Sequence, residues 1–552
     1  MKSSLKGITV LAAMLLILYG CLQPAARKHA ESIAEAMESD SVLMDALVYA
    51  AYHEVLIPLY YDACKTDERT DNLYNPFGRA AIDTVYARDW EQAGKIRVCR
   101  QLQQVIGQHI SIGGPFRLRL LAELEFLKAM LYYAMVQRYG GFVTAAANGE
   151  GPLFHPAGNR ASLSATYRFT IDAFRRSMVH LPEERNAVRA NKTAAKAMIL
   201  RAALQAAACL PDEKNAYLAL ALQTGKEILS EGAYSLDQDY AGLFNSFDGS
   251  RNSRETIFGI CRLRAYTSFQ QTLMQDLVVN QANSKMREGY GPLLQDRFDG
   301  WSKRYPTQDL TDAYLAVDTD GVAKRWNETS RYKAFRPGLD DAMAVLYANR
   351  DRRFYASIVH DSSRYFNSTV FTRDSGNLNT RARVDGNDIT PTGYYVRKLL
   401  YETKKVWYTD GTDHFLPLIR LGEVYLNLAE ASCQAGDSRQ AIGYMNKTRT
   451  LHGGLPALSM DTPLPVVWDI YQDERRVELF FENDRYWSLI RWALWKGGPA
   501  VKELDKSVDA IKISADGRSF KILRGPGEVY KTGWLPGSRF LLPVPPLAGE
   551  PR

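Results

Sequence analysis

The stretch Asp473-Glu-Arg-Arg-Val-Glu-Leu-Phe-Phe-Glu-Asn-Asp-Arg-Tyr-Trp-Ser-Leu-Ile-Arg-Trp492 packs five carboxylates, four arginines and five aromatic rings into twenty positions. Helical spacing places Ile470, Val477, Phe480 and Phe481 on one apolar face. Arg475 and Glu478 are three residues apart, as are Glu482 and Arg485, a spacing at which opposite charges meet along a helix. Asn483-Asp484 reads as a break, with Asp484 capping a second short helix that carries Tyr486, Trp487, Leu489, Ile490 and Trp492. Such a cluster has two readings. One is a charged catalytic or binding site. The other is a helix corner wedged into a core, its arginines held by carboxylates and aromatic faces. The second outweighs the first, because charges paired beside bulky rings usually lock helices together.

Working outward, the 552-residue chain is long enough for two to four domains or one extended fold. Hydrophobic residues make up 46% and charged residues 24%, the balance of a folded soluble protein. The net charge of +7 is spread along the chain. Polyanion binding calls for a concentrated Lys/Arg stripe, so nucleic acid is not the expected partner. The six cysteines (Cys21, Cys64, Cys99, Cys209, Cys261 and Cys433) show no metal-ligand spacing. Cys209 and Cys433 read as buried thiols. A Cys64–Cys99 disulfide stays open as an option in an exported protein.

The N-terminus is positive at Met1-Lys2 and Lys6, and then apolar from Ile8 to Tyr19. About a dozen residues cannot span a bilayer core of ~30 Å, but they suit a signal peptide. Leu18-Tyr19-Gly20-Cys21 resembles a bacterial lipobox, which makes Cys21 the lipidated residue; an ordinary secretory peptide is the alternative. A diacylglycerol plus an N-acyl chain such as palmitate is sufficient for stable membrane attachment.

Helical periodicity marks 31–61 (closed by Pro58), 80–106, 115–138 (stopped by Gly140-Gly141), 164–181, 191–209 and 213–229. These form antiparallel helical pairs, the unit of a repeat scaffold. Segment 415–449 is the best repeat. Its first helix reads about two turns longer than a ~34-residue tetratricopeptide unit allows. Segment 466–495 supplies a further pair. Between the blocks, 234–414 is rich in Gly, Asn, Asp, Ser and aromatics, with short strands expected at 254–260 and 394–399. The expected fold is mainly α: a tetratricopeptide-like helical-hairpin scaffold with a long irregular insertion of loops, short helices and short strands. The expected organisation is a signal peptide at 1–20, an N-terminal helical region at 21–233, an irregular ligand-side region at 234–414 and a C-terminal helical region at 415–552.

Catalytic motifs are absent from the text. The eight histidines lack H-E-x-x-H spacing, and there is no G-x-S-x-G, P-loop or G-x-G-x-x-G. No cofactor, metal or enzymatic activity is expected, although a carboxylate pair for glycoside hydrolysis is a spatial feature that sequence does not display. The positive signal is binding. Sugar rings have apolar faces that stack on Trp and Tyr, while Asn, Asp and Arg serve their hydroxyls. The candidate ligand residues are Asp71, Asn72 and Tyr74 in one loop, and Tyr290, Trp301, Tyr305 and Trp326 in the irregular region. For each ring alone, a place in the core is the more frequent outcome.

Glu474-Arg-Arg-x-Glu-Leu-x-Phe-Glu482 followed by Asp484-Arg-x-Trp-x-Leu-x-Arg-Trp492 resembles the C-terminal signature of the SusD/RagB family. The residues that carry it are Glu474, Arg475, Arg476, Glu478, Glu482, Arg485, Trp487, Arg491 and Trp492. The helix ending in Tyr139-Gly140, the Leu421-Gly422-x-x-Tyr425 repeat and the closing Arg539-Phe-Leu-Leu-Pro-Val-Pro545 are similar to further family motifs. The resemblance implies an outer-membrane lipoprotein, facing the cell surface, that captures an oligosaccharide or other nutrient. Its partner would be a TonB-dependent, SusC-like transporter. The competing reading is a lipid-anchored helical-repeat scaffold that binds a protein.

Overall fold

The computed structural model describes residues 40–61, 66–71, 91–108, 113–142, 161–279, 300–378, 390–402, 407–497, 501, 503 and 508–525. Among these, seventeen α-helices stand against six two-stranded ribbons, which makes the fold mainly α. The expected signal peptide at 1–20, Cys21 and the closing 539–545 motif lie outside the described residues.

Six long helices build the first block. They are α1 (Asp40–Tyr61), α2 (Glu91–Gln108), α3 (Gly114–Tyr139), α4 (Leu163–Met178), α5 (Lys192–Cys209) and α6 (Lys214–Ser230). From α2 onward each packs on the next except that α6 also reaches the second block, and α1 packs on α2 and α3. Helix α3 is the spine. Its side chains are buried almost without interruption from Leu120 to Tyr139, and Gly140 closes it at φ 75°, bonding back to the Val136 carbonyl. Ser162 and Asn191 cap α4 and α5 by accepting from the Ala165 and Ala194 amides. Pro58 does not close α1 as the sequence predicts. It sits inside the last turn, where only one backbone bond is forfeited, and the helix continues to Tyr61.

Four helices form the second block: α7 (Leu421–Gln434), α8 (Ser438–Leu451), α9 (Leu464–Glu478) and α10 (Arg485–Trp495). The surplus length expected at 415–420 is not helix. It is strand β2 (His414–Arg420), paired antiparallel with β1 (Thr256–Arg262) from His414↔Arg262 to Arg420↔Thr256. Pro417 lacks a ladder donor, and the register shifts between it and Ile419. Opposite it, Gly259 admits no side chain, since a Cβ there would fall 2.5 Å from the Leu416 carbonyl oxygen. This ribbon ties the irregular middle region to the start of α7.

The blocks are continuous in space. Helix α6 packs on α7 across the whole intervening middle region. The close approach depends on Gly225, where a Cβ would lie 2.5 Å from a Leu428 methyl. One large core runs from α1 through the middle region to α7 and Phe480. A second, around Tyr471, Trp487, Ile490 and Trp492, fills the space between α7, α8, α9 and α10. The middle region adds short helices and two-residue strands, such as Ile358–Val359 against Tyr395–Val396. Cys99 is a free thiol buried in the core; Cys64 lies outside the described residues.

Candidate functional site

The charged stretch at the C-terminus is the first place to look for chemistry, and its geometry is that of a lock. Glu478 is wholly buried and receives Arg353 Nη1 at 2.7 Å, Arg420 Nη1 at 2.6 Å and His452 Nδ1 at 2.8 Å. Glu482 takes Arg420 Nε at 2.7 Å and Lys398 Nζ at 2.7 Å. Glu474 takes Arg353 Nη1 at 2.5 Å and the Thr448 hydroxyl at 2.9 Å. Arg475 donates to both oxygens of Asp484, at 2.8 and 2.6 Å, and to Asn427. Arg485 forks onto Asp67 at 2.9 and 2.8 Å, and Arg476 reaches the same carboxylate at 3.0 Å. Arg491 forks onto Glu430 at 2.6 and 2.8 Å. Arg138 lies 5.4 Å from the Trp487 ring centroid, and Arg485 lies 5.7 Å from that of Trp492.

The helix-corner reading therefore describes this stretch, but its pairing scheme differs from the expected one. The Arg475–Glu478 and Glu482–Arg485 pairs do not form: Arg475 takes Asp484 across the turn, and Glu478, Glu482 and Arg485 take partners distant in sequence. Phe481 and Asn483 both adopt left-handed backbone conformations, φ 63° and 60°, so the chain turns sharply between α9 and α10 and the two helices present their charges to different neighbours. Asp484 occupies the N-cap position of α10 without capping an amide through its side chain. Its carboxylate binds Arg475 and the Ser488 hydroxyl instead.

Electrostatics fit a saturated network. Burial pushes the Glu478 carboxyl up, but His452, Arg420 and Arg353 together hold it well below the usual carboxylate range. Burial likewise works against ionised Glu430, and Arg491 and Arg475 overcome it, leaving the pKa at about 2. Burial lowers His452, yet the carboxylates of Glu478 and Glu255 outweigh it and raise the imidazole to about 10. Glu255, His452 and Glu478 bring ligand-type atoms within 4.8 Å of one another. The donor set is nevertheless unsuited to a metal. His452 Nδ1 faces Glu478, and Nε2 lies 3.1 Å from Glu255, off the hydrogen-bond axis. An imidazolium has no lone pair to offer, and Arg420 already bridges both carboxylates.

The surface offers a different kind of place. After β1 the chain folds back at 263–270 and is met by 407–412. Phe269 and Gln270 amides donate to the Asp410 and Tyr408 carbonyls at 2.8 and 3.0 Å, and the Thr412 amide donates to Thr267 at 2.8 Å. Ser268 and Gly411 form an antiparallel bridge. Arg264 pairs with Asp413 beside it, and the Asp410 carboxylate accepts the Trp407 amide at 2.9 Å. This rigid ribbon presents Tyr266 at 66% exposure, Trp407 at 39% and Tyr408 at 50%. The helix Leu273–Leu277 continues directly from it. The Gln275 and Asp276 carbonyls of that helix anchor Trp301 and Lys303 through their amides, at 2.7 and 2.8 Å. Trp301 is 47% exposed, with Lys303 Nζ 5.5 Å from its ring centroid. Tyr266, Trp407 and Tyr408 are thus held outward on the ribbon, and Trp301 is exposed on the segment that the helix Leu273–Leu277 anchors.

Of the ligand residues named from sequence, Trp301 is at this surface. Tyr305 and Trp326 are core residues and correct the expectation. Tyr305 is fully buried, its ring edge-on to Tyr395 at 5.8 Å. Trp326 is buried against Tyr332 and Phe520, its indole N–H given to Asp312 at 2.7 Å. Both close hydrophobic space under the short strands, so neither face is open to a ligand. Asp71 ends a short strand paired with Arg304–Pro306. Asn72, Tyr74 and Tyr290 lie outside the described residues. Trp407 and Tyr408 were not singled out in the sequence. The signal was there: two adjacent rings immediately before Thr409-Asp410-Gly411, a turn that sets neighbouring side chains at the surface.

A model of the SusD family matches residues 254–539. Solved structures share the fold. A SusD-like protein from Bacteroides fragilis NCTC 9343 is 23% identical with a TM-score of 0.66, over 92% of this chain and 94% of that one. A SusD-like carbohydrate binding protein from the same organism is 19% identical with a TM-score of 0.63, over 86% of this chain and 88% of that one. A laminarin binding SusD-like protein is 15% identical with a TM-score of 0.58, over 92% of this chain and 96% of that one. A comparison with curated protein sequences returned no match. The family model covers more than half the chain, including the whole α7–α10 corner and its charged lock, and so this chain belongs to the SusD family.

Proposed function

We propose that this protein is a glycan-capturing lipoprotein of the outer membrane that binds its ligand on the Tyr266–Trp407–Tyr408 ribbon with Trp301 beside it. The observation that carries the reading is the group of exposed rings on a rigid ribbon. Amphipathic rings supply area and a polar handle at little entropic cost. Membership of the SusD family supports it, as do the structural neighbours described as carbohydrate binding and laminarin binding. Asp71, Asn72, Tyr74 and Tyr290 are proposed as further ligand residues. Cys21 would carry the lipid, holding the chain beside a TonB-dependent, SusC-like transporter that takes the captured glycan inward.

Isothermal titration against a panel of oligosaccharides tests the ligand class. Binding that weakens about tenfold in Trp407→Ala and Tyr408→Ala is expected, the scale of losing one buried ring contact at an interface. No binding to any member would remove the glycan reading. Replacing Cys21 with Ala should release the protein from membranes, as read by fractionation, and co-purification from gently solubilised membranes tests the transporter partner.

A further inference from the structure

Away from the aromatic ribbon, a cleft of about 630 Å³ opens between α9 and the segment 313–328. Its size lies in the roughly 300–1,000 Å³ range of small-molecule sites. Its described lining holds no aromatic ring and is instead both acidic and basic, with Asp469, Asp473, Glu328 and Glu474 alongside Lys324, Arg325 and Arg449. Most of these charges are already matched. Arg325 bridges the rim to Asp473 at 2.6 Å, and Lys324 holds Asp318 at 2.7 Å.

Arg449 and Asp469 are not matched in this way. Only 6% of Arg449 is exposed, yet among the described residues its guanidinium makes one hydrogen bond, from Nε to the Pro456 carbonyl at 2.9 Å. Its Nη1 lies 4.0 Å from Glu474, beyond hydrogen-bond reach. Arg449 lines the cleft, and neither of its Nη atoms is fully enclosed. Burial lowers this guanidinium's pKa, with Glu474 offsetting part of the effect, as for a cation short of its full complement of partners. Asp469 lies exposed on the rim and makes no hydrogen bond or ion pair among the described residues. A free anion at Arg449 would meet Glu474 and Asp351, and a cation at Asp469 would meet Arg325 and Lys324. A hydroxyl both donates and accepts, and satisfies guanidinium and carboxylate alike.

We propose that this cleft is a second binding site, for a neutral polyhydroxylated ligand of di- to trisaccharide size, held edge-on by Arg449 and Asp469 rather than by ring stacking. The site is separate from the ribbon and does not depend on it. The test uses the full chain with maltotriose, laminaritriose and xylotriose as neutral probes and trigalacturonate as an anionic one, read by titration and by crystals soaked with each probe. The expected result is a neutral trisaccharide in the cleft with hydroxyls on Arg449 Nη. Its affinity should fall about tenfold or more in Arg449→Gln, the scale of losing a charged donor, and several-fold in Asp469→Ala. If Arg449→Gln does not fold, Asp469→Ala decides, since that residue is exposed and outside the core. A cleft empty with every neutral probe, occupancy insensitive to the substitutions, or binding of trigalacturonate alone overturns the proposal. Binding at the ribbon alone would overturn it while leaving the glycan-capture reading intact; binding at neither place would overturn both.

Discussion

Glu478 shows how much a single side chain can organise. It is a buried anion matched by two guanidiniums and an imidazolium drawn from a middle-region helix, β2 and the C-cap of α8. Removing one partner of a buried ion pair strands the others, at a cost of about 3–5 kcal/mol. Glu478→Leu is therefore expected to lower stability by that amount in chemical denaturation, whereas Asp172→Ala, at an exposed pair with Arg175, should change it by less than about 1 kcal/mol. The acid limb follows from the same network. Glu430 has a folded pKa of about 2 against an ordinary 4.5. A carboxyl depressed by folding stabilises fully above its unfolded value and loses that contribution as pH falls through the folded one. Asp484, also depressed to about 2, acts in the same direction. Stability should accordingly drop between about pH 4.5 and 2, and Glu430→Gln should flatten that slope in a pH series of thermal melts. His452 has the opposite sign. Its imidazole is raised to about 10, so its contribution is complete below about 6.5 and is lost as pH rises through 10.

At the level of elements, the decisive contact is the α6–α7 crossing. Two helices from opposite sides of the long middle region meet there because Gly225 leaves room for Leu428. Gly225→Leu would force a full side chain into a packed interface. Overpacking of this kind costs about 1–3 kcal/mol and should appear as a lower denaturation midpoint. The ribbon of β1 and β2 is the second such element. Gly259→Val would set its Cβ against the Leu416 carbonyl oxygen, a backbone atom with nowhere to move. A larger loss is expected than at Gly225, where the obstacle is a flexible methyl. In the sequence β2 runs into α7 without a visible break, because Phe415-Leu-Pro-Leu-Ile419 is continuously apolar and Leu421 resumes the run after Arg420. A short apolar run fits a buried strand or a buried helix equally well, and periodicity does not separate them.

For the whole molecule, the two helical blocks form one scaffold, and the irregular region is sealed to it by a shared core and by the charged lock. Truncation at residue 470 would remove the lock's carboxylates Glu474, Glu478 and Glu482, and would cut the described partners of three buried cations back to Asp351 for Arg353, Glu255 for Arg420 and the Tyr240 hydroxyl for Lys398. Such a chain is expected not to fold, as judged by loss of a cooperative melt. The sequence by itself determined the helical repeats, the stop at Gly140, the irregular insertion and the family signature, because these rest on local spacing and on which residue types stand near one another. It also separated the helix corner from an active site, since charges beside aromatics are a local pattern. Only the tertiary structure decided which carboxylate each arginine meets, because Asp67, Glu430 and Asp484 become neighbours through folding rather than through spacing along a helix. The same holds for the rings. Tyr305, Trp326, Trp407 and Tyr408 look alike in the text; what distinguishes them is whether a neighbouring element covers the ring, and that is a property of the packed chain.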